Sequence, residues 1–327
     1  FWEDIMQSYQ QGMIRSNSQL GCGNVEYLKM GDIDSSGTAD LSKLKRSEAT
    51  SKEILEYELK QGDFLINVRN SLSLVGKTCV IDELNHGKTL YNHMLVRIDN
   101  GSVDMNYFIN AFLNVPSSKK MLNRIKEGTT TVIALYQREL NKLPIALPDS
   151  ATFNAIVKFY KELRLKIDLN NKINTDLEAM AKLIYDYWFV QFDFPDENGK
   201  PYKSSGGKMV YNKDMNREIP EIWEVDIIGN LLAKEQLGGK TPSSKYLVSG
   251  SIPIIDQSTN FICGYTNDET KRIETKVPRI VFGDHTRILK LINFDFARGA
   301  DGTQVLLSKE ERVPQYFFYH SLLKIDL

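Results

Sequence analysis

The sequence is short of the residues that usually betray an activity. Its three cysteines, Cys22, Cys79 and Cys263, stand singly with no C-x-x-C pair. That excludes a zinc knuckle and a disulfide framework, and it points to a reducing, cytoplasmic compartment. The four histidines, His86, His93, His285 and His320, show no H-E-x-x-H or similar metal-ligand spacing. No apolar run approaches the roughly 20 residues that cross a bilayer and no signal peptide opens the chain, so no membrane association is expected. A chain opening on Phe1 rather than methionine is expected to be a piece of a longer one. Positive charge is not in excess either. The formal net charge is -1, unlike most proteins that hold phosphates with their own lysines and arginines.

What is present is ordinary for a globular protein: 327 residues, 42% hydrophobic and 25% charged. This allows two domains with separate cores and excludes disordered and collagen-like classes. The charge is unevenly spread. Residues 111–146 hold Lys119, Lys120, Arg124, Lys126, Arg138 and Lys142 against Glu127 and Glu139, while residues 1–110 lean acidic. Any DNA binding would therefore be local and assisted by a partner.

The clearest element runs from about Ala151 to Val190, forty residues without proline or glycine and rich in helix formers. Ile156, Leu163, Asn170, Leu177 and Ile184 fall seven apart, and Tyr160, Ile167, Asn174, Ala181 and Trp188 follow each by four. This heptad seam predicts a coiled-coil helix of roughly 60 Å, long enough to act as a spacer. Asn170 and Asn174 would fix register at a cost in stability. A single long helix across one globular core would satisfy the same pattern. Asp149 or Ser150 can cap its start. After it, residues 193–217, with Pro195, Gly199, Pro201, Gly206 and Gly207, read as a linker or exposed excursion.

The blocks before and after the helix echo each other in order. "FWEDI" is matched by "IWEVDI" at 222–227, and "NVEYLKMGDID" at 24–34 by "GSIPIIDQST" at 250–259. "GDFLINVRNS" at 62–71 is matched by "VPRIVFGDHT" at 277–286, and "NYFINAFL" at 106–113 by "QYFFYHSLL" at 315–323. Two copies of one mixed α/β module are expected, separated by the long helix. The second copy stops before a second basic segment and a second helix, which would be the antiparallel partner of the seam.

"KINTDLEAMAKLIYDYWFVQFDFPDENGKPYKSSGGKM" resembles the central conserved region of specificity subunits of type I restriction-modification enzymes. The later stretches "GGKTP", "GSIPIIDQST", "VFGDHTRILKLINFDFARGADGTQVL" and "QYFFY" are similar to the target recognition domains of that family. The resemblance covers most of residues 150–327, and residues 1–149 more loosely. It implies two target recognition domains, 1–149 and an incomplete 218–327, joined by a conserved spacer helix at 150–192 and a linker at 193–217. Each domain would read one half of a bipartite double-stranded DNA site. The implied partners are two methyltransferase subunits that modify adenine, and restriction subunits in the full complex. S-adenosylmethionine, ATP and Mg²⁺ would sit on those partners and not on this chain, which would have no catalytic centre. Two departures stand out: Thr152, Phe153 and Asn154 occupy the region where the family has a Glu-Gln pair, and the second conserved helix is lacking.

Base reading in a major groove needs Arg or Lys for guanine, Asn or Gln for adenine, and acidic or small residues for the rest, presented on loops after strands. In the first block Asn67, Arg69, Asn70, Ser71 and Lys77 cluster, with Ile66 and Val68 facing a core and Asn67 and Arg69 opposite. In the second, Asp284, His285, Thr286, Arg287 and Lys290 correspond. Lys240 and Thr241 are expected as phosphate contacts, beside Gly238 and Gly239 that let backbone N–H groups approach. Each could equally be a solvated side chain. Asp301 between Gly299 and Gly302 is expected to bond backbone N–H groups of a tight turn.

Three other readings compete. Asp284 and His285 could serve a hydrolase, but neighbours in a strand point to opposite faces. Asp40 with Glu58-x-Lys60, and Asp256 with Glu274-x-Lys276, could hold Mg²⁺ in a nuclease. A scaffold subunit without DNA contact is the third. No Asn-Pro-Pro-aromatic tetrapeptide and no glycine-rich strand-to-helix loop is present for adenine methylation.

Overall fold

A computed structural model describes residues 1–325 apart from 35, 73, 86, 129–132, 235–236, 300–301 and 310–312. The chain divides into two compact units, Phe1–Asn171 and Lys172–Leu327, with the boundary inside the long helix.

Unit 1 comprises β1 (Ser8–Gln11), β2 (Leu20–Leu28), β3 (Lys45–Ser47), α1 (Ser51–Tyr57), β4 (Phe64–Asn67), β5 (Arg69–Asn70), β6 (Thr78–Val80), β7 (Thr89–Tyr91) and β8 (Leu95–Asp99). Then come α2 (Val103–Asn114), α3 (Pro116–Arg124), β9 (Glu127–Gly128), β10 (Ile133–Ala134), α4 (Gln137–Asn141) and the start of α5 (Ser150–Tyr185). An antiparallel sheet has the order β1-β8-β4-β6, and a second sheet has the order β3-β2-β7 with β2 and β7 parallel. Every residue of β4 is buried, because both faces of its sheet are covered. Phe64 and Ile66 meet Phe108, Ile109 and Leu113 of α2 on one face. Leu65 meets Leu28 and Tyr91 of the second sheet on the other.

Unit 2 takes the rest of α5 and adds β11 (Met209–Asn212), β12 (Arg217–Pro220), α6 (Ile228–Leu231), β13 (Ile252–Ile255), β14 (Gly264–Thr266) and β15 (Arg272–Ile273). It continues with β16 (Arg279–Gly283), β17 (Leu289–Ile292), β18 (Phe296–Arg298), β19 (Thr303–Leu306) and α7 (Gln315–Leu322). β16 lies between β17 and β19, antiparallel to both, as β4 lies between β6 and β8. β13 pairs antiparallel with β14 and parallel with β18, as β2 pairs with β3 and β7. The bridge Met13↔Asn92 in unit 1 has its counterpart in Thr241↔Gly299.

The echoes in the sequence are thus two runs of one topology. In β4 and β16, however, the match is one residue out of the register that the strings suggest. Val281, not Ile280, packs like Leu65 against the second sheet, and Ile280 joins Phe318 of the last helix as Phe64 joins Phe108. Backbone bonds agree. Asn67 N–H donates to Lys77 C=O and Gly283 N–H to Ile288 C=O, so Asn67 and Gly283 are equivalent.

The long helix begins where Asp149 accepts bonds from the Ala151 and Thr152 N–H groups, both at 3.0 Å, and holds its carboxyl below the usual range in doing so. It remains α-helical to Tyr185 and ends in a wider turn, Asp186–Val190, closed by the Gln191 N–H on the Asp186 carbonyl. Phe189 there meets Phe317 with ring centroids 4.7 Å apart. The expected linker, 193–217, contains β11 and the start of β12, a buried Asp193 that accepts bonds from Ser204, and Phe194 stacked between Tyr202 and Trp223.

Candidate nucleic-acid interface

The hairpin between β16 and β17 is short. Arg287 N–H donates back to Gly283 C=O at 2.8 Å, so residues 284–287 form the whole turn. Asp284, His285, Thr286 and Arg287 are all exposed there. The loop after β13 supports them: Gln257 Oε1 accepts from His285 N–H at 3.2 Å and Gln257 C=O from Thr286 Oγ1 at 2.7 Å. A third strand end closes the group, with Asp284 N–H donating to Gly302 C=O at 2.8 Å and Gln304 Nε2 donating to the Asp284 carboxylate at 3.1 Å. A Cβ at Gly302 would come within 2.7 Å of Gln257 Nε2 and 2.9 Å of His285 Cδ2, so a larger residue would displace both side chains. Asp284 therefore holds Gln304 and not His285. Asp301 lies outside the described residues.

Arg287 closes the turn in the left-handed region, with φ 58°. An arginine there costs about 1 kcal/mol, which glycine avoids. In unit 1 the equivalent closing residue is Gly76, whose N–H donates to Asn67 C=O and whose φ is 86°. Between Asn67 and Gly76 the turn is longer and includes β5, which pairs with β10. Arg69 and Ser71 are exposed on it and Asn70 is half-buried. Burial and the Arg69 charge hold the nearby His93 imidazole below its ordinary pKa.

Several expected contacts are corrected by burial. Asn67 is not opposite a solvent face, because the second sheet covers that side; it is fully buried, with Oδ1 accepting from Arg69 N–H and Nδ2 without a partner. Lys77 is half-buried, and its Nζ donates to Ile33 C=O at 3.1 Å. Lys290 is 5% exposed, at the sheet position that Cys79 fills in unit 1, and donates to the carbonyls of Asp256 and Asn260 at 2.8 and 2.5 Å. Burial lowers its pKa. Thr241 is 4% exposed, its N–H bonded to Arg298 C=O, while Lys240 beside it is exposed. Gln257 and Gln304 were missed. Both are adenine-reading types at strand ends, and their position beside His285 depends on pairings distant in sequence.

The nuclease carboxylates are engaged locally. Asp40 accepts from Ser42 N–H and Oγ, and Asp256 from Ser258 N–H, Tyr246 Oη and Cys263 Sγ. Among the described residues no three His, Cys, Asp or Glu side chains gather as metal ligands, and no helix is long and apolar enough to cross a membrane.

The helical seam is largely open. Ile156, Leu163, Ile167, Leu177, Ile184 and Trp188 are 37–60% exposed, and Asn170 and Asn174 are exposed between them. Tyr160 departs from the expected seam. It turns into unit 1, where its hydroxyl accepts from Asn110 Nδ2 at 3.0 Å, on the side where Val157 and Arg164 are buried. Arg164 bonds the Asp82 carboxylate and the carbonyl of Gly37. Burial alone would lower its pKa, yet the Asp82 bonds and charge raise it.

Comparison with known proteins agrees with this architecture. Residues 2–179 match the family model described as type I restriction modification DNA specificity domain. The chain is 26% identical over 144 residues to the type I restriction enzyme MjaIX specificity subunit of Methanocaldococcus jannaschii, covering 42% of this chain and 30% of that protein. It is 25% identical over 296 residues to the putative MjaX specificity subunit of the same organism, covering 86% and 66%. The chain thus spans about a third of the first relative and about two thirds of the second. The crystal structure of the type I restriction-modification S subunit from M. genitalium superposes with TM-score 0.50 at 12% identity, over 98% of this chain and 75% of that one, which shows the fold. With the family model matching more than half its length, the chain belongs to the type I restriction modification DNA specificity domain family.

Proposed function

We propose that the chain is a DNA sequence-recognition component of a type I restriction-modification complex, with each unit reading one half of a split target. The observation that carries this is the repetition of one topology in which equivalent hairpins present polar side chains: Arg69, Asn70 and Ser71 in one unit, and Asp284, His285, Thr286 and Arg287 in the other. Lys240 would contact phosphate. The boundaries expected from the sequence, 1–149, 150–192, 193–217 and 218–327, are retained as functional segments. The chain supplies recognition, and methylation with S-adenosylmethionine would lie on two methyltransferase subunits. Restriction subunits would bring ATP- and Mg²⁺-dependent steps in the cytoplasm.

The long helix supports docking of these partners. At about 100° per residue, the face buried in unit 1 and the heptad seam lie on different sides. A further stripe, Leu165, Leu169, Ile173, Met180 and Leu183, lies about 115° from the seam and is 45–69% exposed. One partner helix covers one stripe, so a second protein surface is needed for the other. The test is exchange of residues 218–327 for another recognition domain, followed by mapping of methylated adenines in cells with the complete system. One half of the methylated motif should change while the other is kept. Two unchanged halves would overturn the reading in favour of a scaffold.

A further inference from the structure

We infer that a cleft in unit 2, between the segment 240–245 and the turn joining β14 to β15, holds a backbone phosphate of the DNA duplex. The inference rests on the DNA reading above and adds a defined anion site to it. The cavity is about 420 Å³; Pro242 and Leu247 give it an apolar part, and Lys240, Thr241, Lys245, Thr266, Asp268 and Lys271 complete the lining. Three lysines line it with one acidic residue. Asp268 caps its own helical turn, accepting from Thr270 N–H at 3.0 Å and Thr270 Oγ1 at 2.6 Å, and these bonds hold its carboxyl below the usual range. Its charge offsets one lysine at most. A Cβ on Gly239 would meet Lys271 Nζ at 2.7 Å, so this ammonium lies against the bare backbone just before Lys240.

Thr241 supplies the independent observation. It is 4% exposed and its Oγ1 has no hydrogen-bond partner, although the residue lines a lysine-rich cleft. Buried hydroxyls are normally bonded, so an orphan in such a place calls for an acceptor or donor from outside. The fold itself does not require a hydroxyl there. The equivalent residue of unit 1 is Met13, which makes the same parallel bridge, donates its N–H to Tyr91 C=O, and packs in an apolar cluster. Gly12 stands where unit 2 has Lys240, and the neighbouring cation of unit 1, Arg15, is paired with Glu53 at 2.8 Å. The buried hydroxyl and its neighbouring lysine therefore have no counterpart at these positions of unit 1.

The placement of the cleft suits a phosphate. Thr241 bridges Gly299, and three residues on Gly302 packs against His285 and Gln257. Three residues of chain cannot separate these points by more than about 11 Å. A phosphate held at Thr241 would set the register in which the 284–287 turn meets base edges.

The test measures binding of the full chain to a random-sequence duplex across a salt series, since the phosphate contribution does not depend on sequence. Lys240→Gln, Lys245→Gln and Lys271→Gln should each flatten the slope of log K against log salt by up to about 1. Thr241→Val should weaken binding by about tenfold with melting temperature unchanged or raised, and Thr241→Ser should restore it. A purely structural Thr241 would instead lower the melting temperature in the valine variant. Wild-type binding with unchanged variants would overturn the cleft and leave the DNA reading intact. Failure of the wild-type chain to bind any duplex would overturn both. If inorganic phosphate binds calorimetrically in a Thr241-dependent way while duplex slopes stay unchanged, a free anion is the occupant and the backbone assignment falls.

Discussion

Unit 1 and unit 2 share the pairing of their central strands and differ in what fills them. Among the described residues, buried clusters of seventeen, eight and four stabilise unit 1, anchored by Trp2, Phe64, Phe108 and Tyr91. Those of unit 2 have five, three and three, around Phe296 and Phe318. In unit 1 the first helix on the sheet, α2, is covered by Leu122 of α3, Leu140 of α4 and Val157 of α5. On α7 and just after it, Tyr316, Leu323 and Ile325 remain 41–56% exposed. One topology thus tolerates a thick core or a thin one, because the strand ladder and the alternation of inward residues define it and the quantity of apolar cover does not.

Removing equivalent core residues would sharpen this contrast most. Leu65→Ala should cost about 3–4 kcal/mol and Val281→Ala about 2–3 kcal/mol. The smaller loss should nevertheless be the more damaging, abolishing the first of two calorimetric transitions, which belongs to unit 2. A single transition lowered equally by both variants would break the comparison. The hairpin closures come next. Gly76→Ala forces an alanine to φ 86° without a clash, its Cβ 3.6 Å from Leu122 Cδ1, and should destabilise unit 1 by about 1 kcal/mol. Arg287→Gly should stabilise unit 2 by up to about 1 kcal/mol while weakening DNA binding, and equal destabilisation by both would show that the closures are not equivalent. The smallest effect is on pH. Burial depresses the pKa of both His93 and His320 below 6.5, so the unfolded chain takes up their protons first. The stability they contribute is complete above pH 6.5 and declines as the pH falls toward the depressed values. Melting between pH 7 and about 5 should show this decline in each unit, and Arg69→Gln should moderate it in unit 1 alone.

The long helix and the order of the repeated strands were legible because both rest on local periodicity: seven-residue spacing in one, short β-rich runs in the other. The interface was less so. Exposure of Arg69 and of 284–287 follows from turn positions, which the sequence marks. The burial of Asn67 depends on a second sheet crossing behind it, and that of Lys290 on carbonyls thirty and thirty-four residues away. Turn length was hidden as well. The strings at 62–71 and 277–286 look alike, yet one turn closes at Gly76 and the other at Arg287, which only the backbone bonds reveal. Tyr160 fits the heptad by number and leaves it by contact, since its hydroxyl finds Asn110.

Side chains at Val157 and Arg164 hold one end of the long helix and Tyr185 the other, while every residue from 165 to 180 is exposed. Those sixteen residues form about four turns of helix whose side chains all stand open to solvent. Isolated helices of that length are marginal in water. The middle of the spacer should therefore open and close like a frayed peptide, its amides exchanging with solvent far faster than those of β4 or β16. On the reading proposed above, the stiffness of this span would come from whatever partner surface covers it.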